Sequence, residues 1–256
     1  MSDLQIEFSP PAAWVTLNRP GKHNAVTAQM WSALPAVARQ IETMPSIRAV
    51  LLRGAGTAAF SAGADIAEMR ENLAHPERMR DMQAAVQVAM DAWARIPVPT
   101  IAVIRGACTG GGCGLTLACD LRIATPDSFF SVPPARLGLV YSLADSRRLV
   151  DLVGPSRAKD ILFTARRVDA AEALAIGLVN EIVPAERIEA RVLELVATIA
   201  ANAGHSVRSA KTIVNAIADG ATVETSDSRR LYDESFSSAE FAEGARAFLE
   251  KRTPRF

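Results

Sequence analysis

The sequence predicts an α/β fold, a largely parallel sheet core followed by a helical C-terminal region, and three observations point there. Short apolar runs with strand character recur at residues 12–17, 49–53, 100–104 and 121–124. Segments of helical periodicity or capping stand between them, an alternation that favours parallel strands joined by helices. From about residue 143 the strand signals fade and helical segments take over.

Ala12–Leu17 reads as the first strand, and Asn18–Asn24, rich in Pro, Gly and Asn, as a turn. Thr27 is placed to cap a helix with apolar residues at Met30, Leu34, Val37, Ile41 and Met44. Pro35 falls inside that pattern and is expected to bend or restart it. The strand at 49–53 leads into a Gly54-Ala55-Gly56 turn. Pro76 can open a helix carrying Met79, Met82, Val86, Met90 and Trp93 on one face, which Pro97-Val98-Pro99 ends. The strand at 100–104 runs into Gly110-Gly111-Gly112 and a short helix of small and apolar residues. Strands at 121–124 and 129–132 follow, then helical segments at 170–176, 185–203, 206–219, 223–236 and 238–251. A boundary is expected near 195, with a core at 1–195 and a helical region at 196–256.

Composition narrows the function classes. Hydrophobic residues make up 49% of the 256, enough for a substantial core. Twenty-eight basic residues balance 28 acidic ones, and no basic stripe argues for nucleic acid or an acidic membrane surface. No apolar run approaches the length of a membrane span, and the N-terminus has no signal-peptide pattern, so a cytoplasmic location is expected. Cys108, Cys113 and Cys119 fit no common zinc spacing, and the three histidines stand singly, so no metal is expected.

Two stretches carry the chemistry. Cys108–Asp120 and Phe60–Ile66 each follow a strand with a Gly-bearing turn. Glycine lets the backbone take unusual angles and lets a ligand approach closely. The first amides of a helix have no internal partner, so such a turn can hold an oxygen carrying negative charge. Two such turns could each offer one N–H to the same oxygen.

Together with Asn18–Ala25, Pro133–Gly138, Ala175–Val179 and Phe248–Arg252, these stretches resemble the crotonase superfamily, also called the enoyl-CoA hydratase/isomerase family. The resemblance runs nearly end to end. It implies a spiral of ββα units, with a C-terminal helical region that packs in a homotrimer or a dimer of trimers. It also implies an acyl-CoA thioester as substrate, coenzyme A being part of that substrate, with no separate cofactor. Two backbone amides that bind the thioester oxygen match Ala62 and Gly111. Coenzyme A contacts carry over to Lys22 and Ala25, to Ala62, Gly63, Ala64, Asp65 and Ile66, and to Lys251.

The departures from the family pattern are informative. Hydratases of the family use two glutamates to position water and deliver its proton. Here Gly114 and Pro134 stand in their places, and neither has a side chain that exchanges a proton. General acid–base work contributes about 100- to 10,000-fold, so ordinary hydration should be weak. An acid used by some isomerases and dehalogenases falls at Ser142. Tyr141 resembles a tyrosine of methylmalonyl-CoA decarboxylases, as do Tyr232-Asp233-Glu234, although the catalytic histidine of that group falls at Ala64. Tyr141 could orient or desolvate a substrate carboxylate, or simply line an apolar wall. Asp145 is the nearest remaining acid, at a helix start where a negative charge also suits the helix dipole. Glu68 and Glu71 are expected near the pocket mouth, and Asp120 in a structural role. The favoured reading is an enolate-forming lyase or isomerase using Ala62, Gly111, Tyr141 and Asp145. Weak enoyl-CoA hydration, or acyl-CoA binding without turnover, are the alternatives.

Overall fold

The computed structural model describes residues 2–256. Its strands are β1 (Leu4–Ser9), β2 (Ala12–Leu17), β3 (Ala49–Gly54), β4 (Ala59–Ser61), β5 (Thr100–Ile104), β6 (Ala107–Thr109), β7 (Leu121–Ala124), β8 (Phe129–Ser131), β9 (Val168–Asp169) and β10 (Glu181–Ile182). Its helices are α1 (Ala28–Glu42), α2 (Ile66–Asn72), α3 (Pro76–Ala94), α4 (Gly111–Leu117), α5 (Pro134–Leu137), α6 (Leu143–Thr164), α7 (Ala170–Ala175), α8 (Ile188–Ala200), α9 (Gly204–Ala218), α10 (Ser226–Phe236) and α11 (Ala239–Leu249).

The strands form two sheets, one in the order β1-β2-β3-β5-β7-β10 and the other β4-β6-β8-β9. Consecutive strands β3 and β4, β5 and β6, and β7 and β8 divide between the sheets, with a helix after each pair. This is a ββα spiral. Pairing is parallel except for β1 on β2 and β9 on β8. The large sheet is covered on both faces, and side-chain alternation assigns the residues. Ala13, Val15, Leu17, Val50, Leu52, Ala102 and Ile104 face one core with α1, α3 and α4. Trp14, Ala49, Leu51, Ile101 and Val103 face a second core with Ile188, Val192 and Val196 of α8.

Three expectations change. β1 was absent from the sequence reading, although Leu4, Ile6 and Phe8 alternate with polar residues. Pro35 lies inside a continuous α1, where Leu34 and Val37 are buried on either side; their packing holds the helix through the proline. The boundary at 195 falls inside α8, whose apolar stripe covers the large sheet, so α8 is part of the core. Thr27 caps α1, its Oγ1 accepting from Met30 N at 3.2 Å.

Candidate functional site

The small sheet delivers both glycine turns to one place. After β4 the chain is fastened to the first loop, residues 18–25, by Asn24, which is 1% exposed and left-handed at φ 54°. Asn24 Nδ2 donates to Ala59 O at 2.7 Å, and its carbonyl accepts from Ser61 Oγ at 2.8 Å. Val26 then bridges Ala64, with Val26 N donating to Gly63 O at 2.8 Å and Asp65 N to Val26 O at 3.2 Å. In a parallel bridge of this kind the central residue's own N–H points the other way. Ala64 N–H therefore faces away from Val26.

It faces α4. A methyl built on Gly111 would sit 3.8 Å from Ala64 N, and one built on Gly63 would sit 3.0 Å from Gly111 N. Gly111 is the first residue of α4, so its N–H has no intrahelical partner, and neither it nor Ala64 N–H finds another among the described residues. Gly63 has φ +93° and Gly110 φ +53°, angles that a side chain strains. Gly112 has no room for a side chain at all: a methyl there would lie 2.5 Å from Ser61 Cβ. The two unpaired amides can stabilise one oxyanion between them.

This corrects one assignment. Ala62 is not the second donor, because its N–H already donates to His23 O at 2.9 Å. The left-handed turn at Gly63 separates the two directions, and Ala64 supplies the free N–H. Ala62 still meets the site through its carbonyl, which accepts from Thr109 Oγ1 at 3.0 Å and ties the second loop to β6.

The space beside Gly114 is filled rather than open. A Cβ on Gly114 would lie 2.7 Å from Met90 Cε and 3.2 Å from Tyr141 Oη. Tyr141 is half-buried, but its hydroxyl oxygen is buried and has no hydrogen-bond partner. Burial pushes its pKa well up, with the buried Cys113 thiol and Asp145 adding to the shift, so the phenol stays neutral. Trp31 of α1 is 1% exposed and reaches within 3.2 Å of the Gly111 methyl position, with Nε1 likewise buried and unpaired.

Asp145 is also corrected. It is 2% exposed, and both carboxylate oxygens are engaged. Oδ2 accepts from Gln87 Nε2 at 2.9 Å and Ser142 Oγ at 2.7 Å, and Oδ1 from Arg148 Nη1 at 3.1 Å. Arg148 in turn holds Asp91 at 2.6 Å. Asp145 therefore fixes the start of α6, with three donors of this chain on its two oxygens. Ser142 is the cap of α6, its Oγ also accepting from Asp145 N at 3.0 Å, so its hydroxyl is committed too.

The remaining candidates divide. Asp65 caps α2 by accepting from Ala67 N at 2.8 Å, and Arg19 Nη1 lies 2.7 Å from its Oδ2. The Arg19 hydrogen bond holds its carboxyl below the ordinary range. Arg19 Nη1 also donates to Ala25 O at 2.8 Å, so Ala25 and Asp65 are joined as loop scaffold. Lys22 and Ile66 are exposed beside this pair of loops. Glu68 Oε2 accepts from Ala28 N at 2.8 Å and caps α1, while Glu71 is exposed. Pro134 opens α5, whose preceding Pro133 approaches the Gly110 turn. Lys251 is exposed beyond α11, and no hydrogen bond or ion pair joins it to the first two loops. Asp120 is structural, as expected: its Oδ2 accepts from Thr100 N at 2.7 Å and pairs with Lys211 at 2.7 Å.

A cavity of about 400 Å³ lies at the opposite end of α4, lined by residues that include Asp91, Arg95, Arg122, Arg147 and Asp219. Its arginines are largely held by aspartates and carbonyls, and it is separate from the amide pair. Among the described residues, no helix is long and apolar enough to cross a membrane.

Comparison with known proteins agrees with this geometry. The family model described as enoyl-CoA hydratase/isomerase matches residues 8–256. A short-chain-enoyl-CoA hydratase of Clostridium acetobutylicum is 33% identical, covering 98% of this chain and 96% of its own. A crotonyl-CoA hydratase of Syntrophomonas wolfei is 32% identical over 99% of this chain and 97% of its own. The crystal structure of an enoyl-CoA hydratase/carnithine racemase from Magnetospirillum magneticum superposes with a TM-score of 0.94 at 34% identity, covering 100% of this chain and 96% of that one.

Proposed function

The chain belongs to the enoyl-CoA hydratase/isomerase family, and from that premise we propose that it is an acyl-CoA lyase of decarboxylase type rather than an ordinary hydratase. One observation carries the reading. The space beside Gly114, the position that the resemblance matches to a hydratase glutamate, is taken by the Met90 methyl and the neutral Tyr141 hydroxyl.

Such surroundings suit a reaction that needs an electron sink but no base. In a malonyl-type thioester the bond between the α-carbon and the carboxylate breaks, and CO2 leaves. The bonding pair moves through the α-carbon onto the thioester oxygen, giving an enolate. Ala64 N–H and Gly111 N–H face that oxygen and bind it more strongly as charge develops, one such donor being worth roughly 3 kcal/mol. The enolate then takes a proton at the α-carbon, from water or from Tyr141. The apolar surroundings favour loss of the carboxylate, since a charge held there without a cation is poorly solvated. Isomerisation fits less well, because Ser142 stands in the place of the acid and its hydroxyl is tied to Asp145.

Lys22, on the exposed first loop, meets the coenzyme A phosphates, with Ile66 at the mouth and Lys251 joining from the C-terminal region of this or a neighbouring protomer. Assembly as a homotrimer or a dimer of trimers is part of the proposal. Val223, Tyr232, Phe248 and Leu249 of the C-terminal region are 60–82% exposed, apolar surface that a neighbouring protomer would cover.

A second reading, weak enoyl-CoA hydration, is favoured by the relatives named as hydratases. A substrate panel separates the readings. Malonyl-CoA and methylmalonyl-CoA should release CO2, while crotonyl-CoA is hydrated far more slowly. Fast crotonyl-CoA hydration with no CO2 release from either malonyl ester overturns the proposal in favour of a hydratase. Tight binding of every ester with no turnover leaves a binding protein.

A further inference from the structure

A cavity of about 390 Å³ opens at the carboxyl ends of β2, β3 and β5, lined by residues that include Thr16, Arg53, Arg105 and Glu189. Thr16, Arg53 and Val103 are register neighbours on these three parallel strands, so their side chains share one face of the large sheet. It is the face of Trp14, Leu51 and Ile101, two residues earlier on each strand, which packs against α8. Helix α4, which carries Gly111, packs on the opposite face. The crevice beyond the carboxyl ends of parallel strands is where open α/β sheets bind ligands.

The charged lining of this cavity is Arg53, Arg105 and Glu189, two cations against one anion. The cavity at the end of α4, by contrast, sets four arginines against four aspartates. Both guanidiniums turn to the same carboxylate oxygen, and neither reaches it closely. Arg53 Nη1 is 3.5 Å and Arg105 Nη2 3.6 Å from Glu189 Oε1. Arg148 and Arg191 elsewhere in the chain close on their carboxylates to 2.6 and 2.9 Å. The Glu189 side chain is 58% exposed, so water competes for it. The two arginines are held from other sides. Arg53 lies over the Trp14 ring, 4.3 Å from its centroid, and its Nε donates to Thr16 Oγ1 at 3.2 Å. Arg105 Nη2 donates to Ala185 O at 3.1 Å. The cations are fixed in place, and the anion between them is loose.

We propose that this cavity binds a phosphate group, as inorganic phosphate or a small phosphate monoester, which displaces Glu189 from between Arg53 and Arg105. A phosphate dianion matches the charge of two guanidiniums, of which Glu189 supplies half, and the arginine fork suits its oxygens. The space also has room for a small organic group on the phosphate. The site is distinct from the acyl-CoA site and does not depend on that reading. The loop after β3 joins the two regions, since the methyl position of Gly56 lies 3.8 Å from Pro20 Cβ in the first loop.

The test is calorimetric titration with inorganic phosphate at low ionic strength and about pH 8, where phosphate is largely a dianion. Wild type, Arg105→Gln and Glu189→Gln are compared, with folding checked by circular dichroism and Tm. Wild type should show saturable binding. Arg105→Gln should weaken it by about tenfold or more, one charge-assisted contact being lost. Glu189→Gln should strengthen it by about threefold, because the competing carboxylate is gone. No saturable binding by wild type, an unchanged affinity in Arg105→Gln, or an unchanged or weaker affinity in Glu189→Gln overturns the proposal. Should Arg105→Gln not fold, the Glu189 variant, altered at an exposed side chain, decides alone. Glycerol 3-phosphate identifies the source: tighter binding than inorganic phosphate assigns a monoester, weaker binding the free ion. The phosphate titration is repeated with butyryl-CoA present and on Lys22→Gln, and the affinity should be unchanged in both. Competition by butyryl-CoA, or a loss in Lys22→Gln, puts the phosphate with the coenzyme and overturns a separate site. Failure of butyryl-CoA to bind at all sinks the acyl-CoA reading and leaves this site standing.

Discussion

Gly114→Glu puts an acid at the position that the family resemblance matches to a hydratase glutamate, and the structure gives the cost. The new Cβ would lie 2.7 Å from Met90 Cε and 3.2 Å from Tyr141 Oη. Carbon atoms pack best at about 3.5–4.0 Å, so the methyl must retreat by about 1 Å. Met90 is 1% exposed and has little space to retreat into. Overpacking of this kind costs about 1–3 kcal/mol. Replacing a helical glycine returns about 0.5–1 kcal/mol, which offsets only part of it. Burying a carboxyl among apolar groups adds a further cost unless Tyr141 donates to it. The single variant should therefore lose about 1–3 kcal/mol, a fall in Tm of roughly 2–4 °C per kcal/mol for a domain of this size. Met90→Ala removes the clashing methyl, so the double variant should be more stable than the sum of the single effects by about 1 kcal/mol or more. The assays are thermal unfolding and the ultraviolet loss of the enoyl thioester of crotonyl-CoA. The folded double variant should hydrate crotonyl-CoA at least tenfold faster than wild type, one restored acid–base group being worth that much or more. A single variant as stable as wild type, with no coupling to Met90, would refute the packing argument. A folded double variant with no gain in hydration would refute the assignment of position 114.

Three other outcomes follow from the same geometry. Gly111→Pro deletes one oxyanion donor, and, provided circular dichroism and Tm show an intact fold, it should lower kcat on any active acyl-CoA by roughly 100-fold or more with a much smaller change in affinity; an unchanged kcat would overturn the amide pair. Asp145→Ala unfastens Ser142 and Gln87 and leaves Arg148 with Asp91 as its one ion-pair partner among the described residues, so denaturant unfolding should show a loss of about 1–3 kcal/mol; because the Asp145 oxygens already hold three donors of this chain, the folded fraction should keep kcat within about fivefold, and a collapse of kcat at full stability would return it to catalysis. For Asp65, held below its ordinary value of 3.8 chiefly by Arg19, stability is present above that value and lost as pH falls through the lower folded one; the stability gap between wild type and Asp65→Asn should be constant above about pH 5 and shrink below about pH 4, and a gap that widens on acidification would contradict the ion pair.

How far the sequence reached depends on the range of the interaction. Glycine, capping and strand signals are local, and they are enough to place β2, β3, β5 and β7, the cap at Thr27, and the turn before α4; the cap at Asp65 emerges only from the folded chain. Alternation in Leu4, Ile6 and Phe8, which underlies β1, is equally local. Pro35 shows a limit of local rules, because buried Leu34 and Val37 hold α1 together through a residue that alone would break it.

The chain by itself determined the alternation of strands with helices and the two glycine turns, since these depend on residue types and on short-range backbone preference. Tertiary structure decided which atoms face one another. Ala62 and Ala64 are two residues apart, and only the Val26 bridge and the left-handed Gly63 turn one amide to His23 and the other toward Gly111. Asp145 is an acid in the right neighbourhood, but Gln87 and Arg148, from α3 and α6, consume its oxygens. Met90 reads as an ordinary core position in a helical stripe, and Trp31 lies outside the stripe read for α1. They border the site because α1 and α3 pack on α4, whose glycines lack the side chains that would hold them off. Hydrogen-bond direction and packing between segments distant in sequence leave no mark on local residue patterns, so these assignments had to come from the folded chain.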